Sequence, residues 1–277
     1  MGAKCNLSIQ ILGMKKILLI LAFFTTILIG CDKEISLVLD DNKPVLVIDG
    51  SITDQAGPYF VQLSMTTPIT NPTRINGVNN VRVIITDQAG VKDSLLLVSN
   101  GLYKTQKIKG IEGGTYNLEV LVDQKKYTAS ATMPLKVNFD SLRINTFPFN
   151  GEIRYSVIPV YADPVTLGNS YRFIQKINDT IDPTFHVFND NLNNGKVNQR
   201  PLRGGDDNLK IKPRDNVFVE MQCISNTSYT YYYSLNLQSG AGPGGGTAPS
   251  NPPSNIEGGA LGIFSAHSVQ RKTITIR

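Results

Sequence analysis

The sequence predicts an all-β protein, in which an immunoglobulin-like or transthyretin-like β-sandwich is followed by a second β-rich domain with one short helix. Apolar and polar residues alternate over short runs, as in Val81–Ile85 and Tyr116–Val122. Pairs such as Asn100-Gly101, which favour tight turns, separate the runs. Runs at this close spacing, with turns between them, are typical of β-sandwiches rather than helical folds.

The first thirty residues have the pattern of a secretory signal sequence. Met14–Lys16 is a short basic start, so Met14 is the expected true start, and an apolar run follows over Ile17–Ile29. This run is shorter than the roughly 20 apolar residues of a transmembrane span, although a plain signal anchor is the alternative. Leu28–Cys31 has the form of a lipobox. We therefore expect cleavage after residue 30 and attachment of lipid to Cys31.

Residues 31–44 are interpreted as a lipidated N-terminus and a polar tether. The charged residues Asp32, Lys33 and Glu34 directly follow the lipidated cysteine. They resemble the signals that export lipoproteins to the cell surface in the Bacteroidota. Since any soluble tether is also charged, both interpretations are open.

The charge of the mature chain argues against a nucleic-acid partner. The net charge of the full sequence is +5. Lys4, Lys15 and Lys16 precede Cys31 and no acidic residue does, so about +2 remains after cleavage. We expect no nucleic-acid binding.

The cysteines exclude an internal disulfide. Of the three cysteines, Cys5 precedes Met14 and Cys31 carries the lipid, which leaves Cys223 without a partner. Cys223 lies beside the apolar residues Met221 and Ile224, so we expect it to be a buried small residue rather than a nucleophile. Metal sites built on paired cysteines are excluded for the same reason.

The predicted N-terminal sandwich spans residues 45–133. The hexapeptide Ile52–Gly57 recurs as Ile85–Gly90, and Asp and Gly predict a tight turn in both copies. The candidate strands are Val45–Ile48, Tyr59–Leu63, Val81–Ile85, Leu95–Val98 and Tyr116–Val122.

The predicted C-terminal domain spans residues 134–277. Asp182–Lys212 is rich in Asn, Asp and Gly with little apolar content, which predicts either a docking surface or a tolerated surface insertion. Within it, Arg200 and Arg203 are candidate partner-binding residues, because Arg is enriched at interface hot spots. Asp206 and Asp207 beside Arg203 are candidate ligand-binding carboxylates, with an exposed turn as the alternative. The candidate strands are Val137–Ile144, Tyr155–Tyr161, Tyr171–Ile177, Val217–Ile224 and Val269–Ile276.

Two further segments are ambiguous in type. Over residues 228–237 the strict alternation of apolar and polar positions indicates a strand. The family resemblance described below implies a helix here instead. Because Tyr229, Tyr232 and Tyr233 also share one helical face and Ser225 or Thr227 offers a cap, we predict a helix. Gly240–Ser254 formally contains G-x-G-x-x-G, but its prolines forbid the following helix and it is predicted to be a loop.

No catalytic or metal-binding constellation is evident in the sequence. The only histidines, His186 and His267, lie in no metal-ligand spacing, and no G-x-S-x-G occurs. Asp190–Gly195 resembles a calcium loop but has Leu192 at a ligand position. We therefore expect no catalytic residue, no metal and no cofactor. A hydrolase with an unrecognised site is the remaining enzymatic alternative.

The C-terminal region carries a family resemblance. Asn251–Ala266 is a Pro/Asn-rich loop followed by a glycine pair and a small, apolar and aromatic run, and Gly50 and Gly57–Tyr59 fit the same pattern near the start. The chain resembles a Bacteroidota outer-membrane lipoprotein family, domain of unknown function 4249. In physical terms, Gly258 and Gly259 permit close backbone packing, and Leu261 and Phe264 are expected to fill a core.

The resemblance implies an outer-membrane lipoprotein often encoded near TonB-dependent receptors, and it supplies no catalytic residue. It also implies an immunoglobulin-like or carboxypeptidase-regulatory-like N-terminal sandwich. We expect a surface-exposed, non-enzymatic binding or accessory subunit of a TonB-dependent uptake system. A structural component of an envelope assembly or secretion complex is the alternative.

Overall fold

The computed structural model describes residues 43–67, 75–204, 209–238 and 250–277. Within these ranges the strands form one ten-stranded sheet, one four-stranded sheet and one two-stranded hairpin. A single α-helix accompanies them in the described part of the chain. The prediction of an all-β, immunoglobulin-like sandwich followed by a second β-rich part with one short helix is confirmed.

The N-terminal half is a sandwich of two layers. Alternate apolar side chains from both layers meet in a first core, among them Ile48, Leu63, Ile85 and Leu118. From the ten-stranded sheet come β1 (Leu46–Thr53), β2 (Phe60–Met65), β3 (Asn76–Gly77), β6 (Leu96–Ser99) and β7 (Leu102–Lys104). The four-stranded sheet has the order β5-β4-β8-β9, with β4 (Arg82–Asp87), β5 (Lys92–Ser94), β8 (Thr115–Val122) and β9 (Lys125–Thr132).

The predicted strand Leu95–Val98 divides between the two layers. Lys92–Ser94 pairs with β4 and Leu96–Ser99 pairs with β7, so the chain crosses from one sheet to the other at Leu95. Leu95 is buried, whereas the four residues of β6 are all exposed. The apolar run therefore contributes one core residue and an exposed sheet edge rather than a buried strand.

In the second half of the chain, the rest of the ten-stranded sheet packs against the hairpin β10–β11. The side chains of Val157, Phe173 and Val219 belong to a second core that also takes in Val137 and Phe139. The strands are β10 (Ser141–Phe149), β11 (Glu152–Val160), β12 (Ser170–Ile177), β13 (Thr180–Ile181), β14 (His186–Asn189) and β15 (Asn216–Ile224).

The C-terminal strand β16 (Leu261–Thr275) joins the two halves. Its first part runs parallel to β1, with Gly262 opposite Ile48, and its second part runs antiparallel to β15, with Ser268 opposite Cys223. The strand predicted from Val269 onward thus begins at Leu261 and completes both parts of the ten-stranded sheet. Residues 43–277 form one compact unit, and the domain boundary at residues 133 and 134 stays a prediction.

The segment at residues 228–237 is helical, as predicted, within α1 (Asn226–Gln238). The backbone N–H of Ser228 donates to Oγ of Ser225, so one of the two suggested caps is present. The ring centroid of Tyr232 lies 4.0 Å from the guanidinium carbon of Arg172. Because the neighbours of Arg172 on β12 point into the second core, α1 covers the opposite face of the sheet.

The segment Asp182–Lys212 contributes to the second core. Its residues Val187, Phe188, Leu202 and Ile211 are buried, and a 3₁₀ turn forms over Asp190–Leu192. The segment therefore buries more than its low apolar content suggests: Phe188, Leu202 and Ile211 belong to the second core, whereas Val197 is exposed. Of the predicted loop Gly240–Ser254, residues 240–249 lie outside the described ranges.

Candidate functional site

A cavity of about 400 Å³ lies where the hairpin β10–β11 meets β12 and the chain after β14. This volume falls in the range of about 300–1,000 Å³ that small-molecule sites occupy. The apolar walls are Phe147, Phe149, Tyr155, Leu202, Leu209 and Ile211. The polar lining is formed by Arg154, Ser156, Gln175, Arg203, Gly204 and Lys210.

A tight turn positions the aromatic wall. Asn150 and Gly151 both have positive φ, at 51° and 79°, which is the backbone of a two-residue type I′ hairpin. The turn sets Phe147 opposite Arg154 in the register of the hairpin. Because side chains two residues apart share a face, Phe149 joins them on the side of the cavity. The Asn-Gly pair is the sequence signal that identifies this hairpin.

Gln175, which lines the cavity, contacts the buried carboxylate of Asp182. Asp182 accepts hydrogen bonds from Nε2 of Gln175 at 3.1 Å, the backbone N–H of Thr184 at 2.9 Å and Nε2 of His186 at 3.2 Å. Burial raises the pKa of Asp182, but the hydrogen bonds from His186 and Thr184 outweigh it and hold the pKa below its usual value. Asp182 is therefore ionised at neutral pH and acts only as an acceptor.

The charge on Asp182 fixes the orientation of the Gln175 amide. Since Asp182 can only accept, the amide nitrogen of Gln175 faces it and Oε1 points the other way. Gln175 is 1% exposed and lines the cavity, and its Oε1 has no hydrogen-bond partner among the described residues. Leaving a buried acceptor unpaired costs about 1–3 kcal/mol. The wall of the cavity thus contains a buried acceptor that no described residue satisfies.

Arginine side chains lie against the aromatic wall. The guanidinium of Arg203 is 4.6 Å from the ring centroid of Phe147, and that of Arg154 is 5.2 Å from Phe149. Nε of Arg154 also lies 3.7 Å from a carboxylate oxygen of Glu152. Arg203 makes no ion pair within the described ranges, so its charge faces the cavity without a carboxylate partner there.

The other candidates from the sequence fall in different places. The guanidinium of Arg200 lies 4.0 Å from the ring of Phe188, a residue of the second core, and Arg200 does not line the cavity in the described structure. Asp206, Asp207 and the lipidation residue Cys31 lie outside the described residues. Of the candidate residues, Arg203 is therefore the one that the structure places in this site.

The second histidine belongs to the interior of the sheet. Nδ1 of His267 lies 3.4 Å from Oγ of Ser265, and both residues are buried on β16. Burial lowers the pKa of His267 to about 4, so it is neutral at physiological pH. No group of three or more potential metal ligands occurs in the described ranges.

Cys223 is a buried residue of the second core. Its sulfur accepts a hydrogen bond from the backbone N–H of Val137 at 3.3 Å. Burial raises the pKa of the thiol, which disfavours the reactive thiolate. The expectation of a buried, unreactive cysteine agrees with this geometry.

Fold and cavity together define an all-β protein with a pocket of small-molecule size. The chain belongs to the family described as domain of unknown function (DUF4249), whose model matches residues 32–273. No curated protein matches the sequence significantly. None of the helices in the described ranges is long and apolar enough to cross a membrane.

Two solved structures are similar to the chain at low identity. The two-fibronectin type III domain segment from chicken tenascin is 12% identical, with 66% of this chain and 93% of that chain covered and a TM-score of 0.23. The adhesin InvE from Yersinia pseudotuberculosis is 16% identical, with 84% of this chain and 58% of that chain covered and a TM-score of 0.22. At these scores neither likeness assigns a function.

Proposed function

We propose that the protein is a non-enzymatic binding subunit, held at the outer membrane by lipid on Cys31 and exposed at the cell surface, that serves a TonB-dependent uptake system. The observation that carries the binding role is the cavity beside β10–β11, with its buried, unpartnered acceptor on Gln175. A concave apolar site with a few convergent polar groups is typical of ligand-binding proteins.

The anchor is supported by the sequence before the folded unit. The lipobox Leu28–Cys31 follows a basic start and an apolar run, and a charged tether leads to β1. A single acyl chain binds membranes only marginally, whereas several chains anchor a protein stably. A multiply acylated Cys31 accounts for membrane attachment without a membrane-spanning helix.

Fractionation tests the anchor. We expect Cys31→Ala to give a folded protein that no longer sediments with membranes, because the variant has no residue for the lipid. Cys5→Ala is the matched control, since Cys5 precedes Met14 and its loss leaves the lipobox unchanged. Sedimentation of the Cys31 variant with membranes in detergent-free buffer would place the anchor elsewhere.

Affinity capture tests the uptake role. A tag at the C-terminus, used on intact outer membranes after mild cross-linking, should recover a β-barrel receptor of the TonB-dependent class. Capture with the Cys31→Ala protein supplies the background. If the anchored protein recovers no such receptor above this background, the uptake role is wrong.

A structural role in an envelope complex is the second candidate, and one surface favours it. Leu96, Leu97 and Val98 are exposed on β6, the terminal strand of the ten-stranded sheet. An exposed apolar edge strand is a template for pairing with another chain. Recovery of an assembly or secretion component instead of a receptor would favour this role.

A further inference from the structure

Gln175 determines one feature of the ligand that the cavity accepts. Oε1 of Gln175 cannot exchange places with the amide nitrogen, because ionised Asp182 requires the donor. The molecule that enters must therefore bring an N–H or O–H group to Oε1. A ligand without such a donor leaves the acceptor buried and unpaired.

The walls fix a second feature. Phe147, Phe149 and Tyr155 of the hairpin line the cavity together with Leu202 and Ile211. Leu202 is fully buried and Ile211 is buried as well, so these side chains are fixed parts of the core. An apolar or aromatic group of the ligand replaces water against the three aromatic side chains, which are at least partly exposed.

Arg203 fixes the third feature. Its guanidinium lies 4.6 Å from the ring centroid of Phe147 and has donors in a planar fork. Carboxylates match this fork with two parallel hydrogen bonds. A carboxylate on the ligand would complete the charge pair that Arg203 lacks among the described side chains.

We propose that the cavity binds a small amphipathic carboxylate that also carries a hydrogen-bond donor, of the size and chemistry of an N-acylated apolar amino acid. The amide N–H reaches Oε1 of Gln175, the apolar side chain lies against Phe147 and Phe149, and the carboxylate pairs with Arg203. This inference rests on the proposed binding function and names the ligand class for the same site.

Three probes test the ligand features without changing the protein. N-acetyl-L-phenylalanine carries all three groups, its N-methylated form lacks the donor, and its primary amide lacks the carboxylate. Isothermal titration of the full-length, lipidated protein in detergent should give one site for the first probe. Each of the other two should bind at least about tenfold more weakly, since one lost hydrogen bond or charge pair is of that order.

Variants test the two protein groups. We expect Gln175→Leu to bind N-acetyl-L-phenylalanine and its N-methylated form equally weakly, and Arg203→Gln to remove the preference for the carboxylate over the amide. Arg82→Gln is the matched control, because Arg82 lies on the separate four-stranded sheet in an exposed pair with Glu119. Circular dichroism confirms that each variant is folded.

The outcomes separate this inference from the proposed function. Equal affinity of all three probes, or no binding by any of them, overturns the ligand class, and the uptake role then still depends on receptor capture. Selective binding of the first probe, with no receptor captured, supports the ligand class and overturns the uptake role.

Discussion

The ionisation of His267 couples the stability of the protein to pH. Burial lowers its pKa from 6.5 to about 4, with a further contribution from the charge of Arg172. Between these two pH values the unfolded chain binds a proton that the folded chain does not. The free energy of unfolding therefore falls as the pH decreases from 6.5 to 4, by about 3 kcal/mol in total.

Urea unfolding at pH 7.5 and pH 5 measures this effect. We expect the wild-type protein to lose stability between the two values, and His267→Gln to lose clearly less. Asp54 and Asp182, whose pKa values are lowered, affect stability only at more acidic pH. An unchanged pH dependence in the variant would show that His267 is not the responsible group.

Gly262 is a second residue with a clear physical role. Its φ is +97°, and a Cβ there would lie 2.1 Å from the backbone oxygen of Ile48 on the paired strand β1. At Gly259, where φ is +82°, an added Cβ would meet no atom within 4 Å. A Cβ at Gly258 would lie 2.8 Å from the backbone oxygen of Lys126. The close backbone packing expected from the sequence is therefore present at Gly258, whereas Gly259 is required for its positive φ.

Alanine substitution separates these two effects. Gly259→Ala should cost about 1 kcal/mol of unfolding free energy, since only the positive φ is disfavoured. Gly262→Ala should cost at least about 3 kcal/mol, because the strands must also move apart. Thermal unfolding of both variants gives the comparison, and equal losses would contradict the steric argument.

The site residues differ in how visible they are in the sequence. Arg203 was identified because arginine in a polar segment suggests a partner-binding residue. Gln175 was not, although it alternates in phase with Tyr171, Phe173 and Ile177, which all belong to the second core. A polar residue at an inward position of an alternating strand is the signal that points to it. Its pairing with Asp182 depends on a later segment of the chain.

At the scale of elements, the repeated hexapeptide forms two different connections. In the second copy, Asp87 accepts hydrogen bonds from the nearby N–H groups of Ala89 and Val91. In the first copy, Asp54 accepts from the N–H of Val269 at 2.8 Å and from Nζ of Lys136 at 2.9 Å. One copy closes its own turn, while the other ties β16 and the linker after β9 to the β1–β2 connection.

This contrast predicts unequal effects of the same substitution. Asp54→Asn should lower the free energy of unfolding by about 2 kcal/mol at pH 7, because a partly buried charge pair is lost. Asp87→Asn, the matched control, should lower it by less than about 1 kcal/mol, since Asn also favours such turns. Urea titration of both variants decides, and a larger effect at Asp87 would contradict the assigned roles.

Strands with clear alternation were predictable, and strands without it were not. The strand β8 buries Tyr116, Leu118 and Val120 in strict alternation. In β9, by contrast, only Ala129 is fully buried, and Tyr127 and Ala131 are partly buried against the first core. The strand signal in its sequence is therefore weak, and its pairing with β8 determines it. For α1 the period indicated a strand, but the Ser225 cap and the stacking of Tyr229 on Tyr233, one turn apart, favour the helix.

At the scale of the whole molecule, β16 connects the two cores. Residues Ile256, Ala260, Phe264 and Ala266 belong to the first core, although they lie more than a hundred residues after its other members. Phe264 is fully buried, as the sequence suggested, whereas Leu261 is only partly buried. The N-terminal sandwich therefore depends on the end of the chain.

A fragment tests this dependence. We expect residues 43–133 alone not to fold, because loss of a buried Phe costs about 3–5 kcal/mol and the stability of a domain is of similar size. A synthetic peptide of residues 254–268 should restore folding when added. Dispersed amide resonances from the fragment alone would show that residues 45–133 are an independent domain.

The most direct measurement is native mass spectrometry of the lipidated protein, purified in mild detergent from the outer membrane of its host. The proposed site predicts a wild-type protein that carries a small molecule of a few hundred daltons, which Gln175→Leu and Arg203→Gln both lose. Arg82→Gln should retain it. A wild-type protein with no bound molecule, or a bound molecule that both pocket variants retain, would contradict the assignment of this cavity as the binding site.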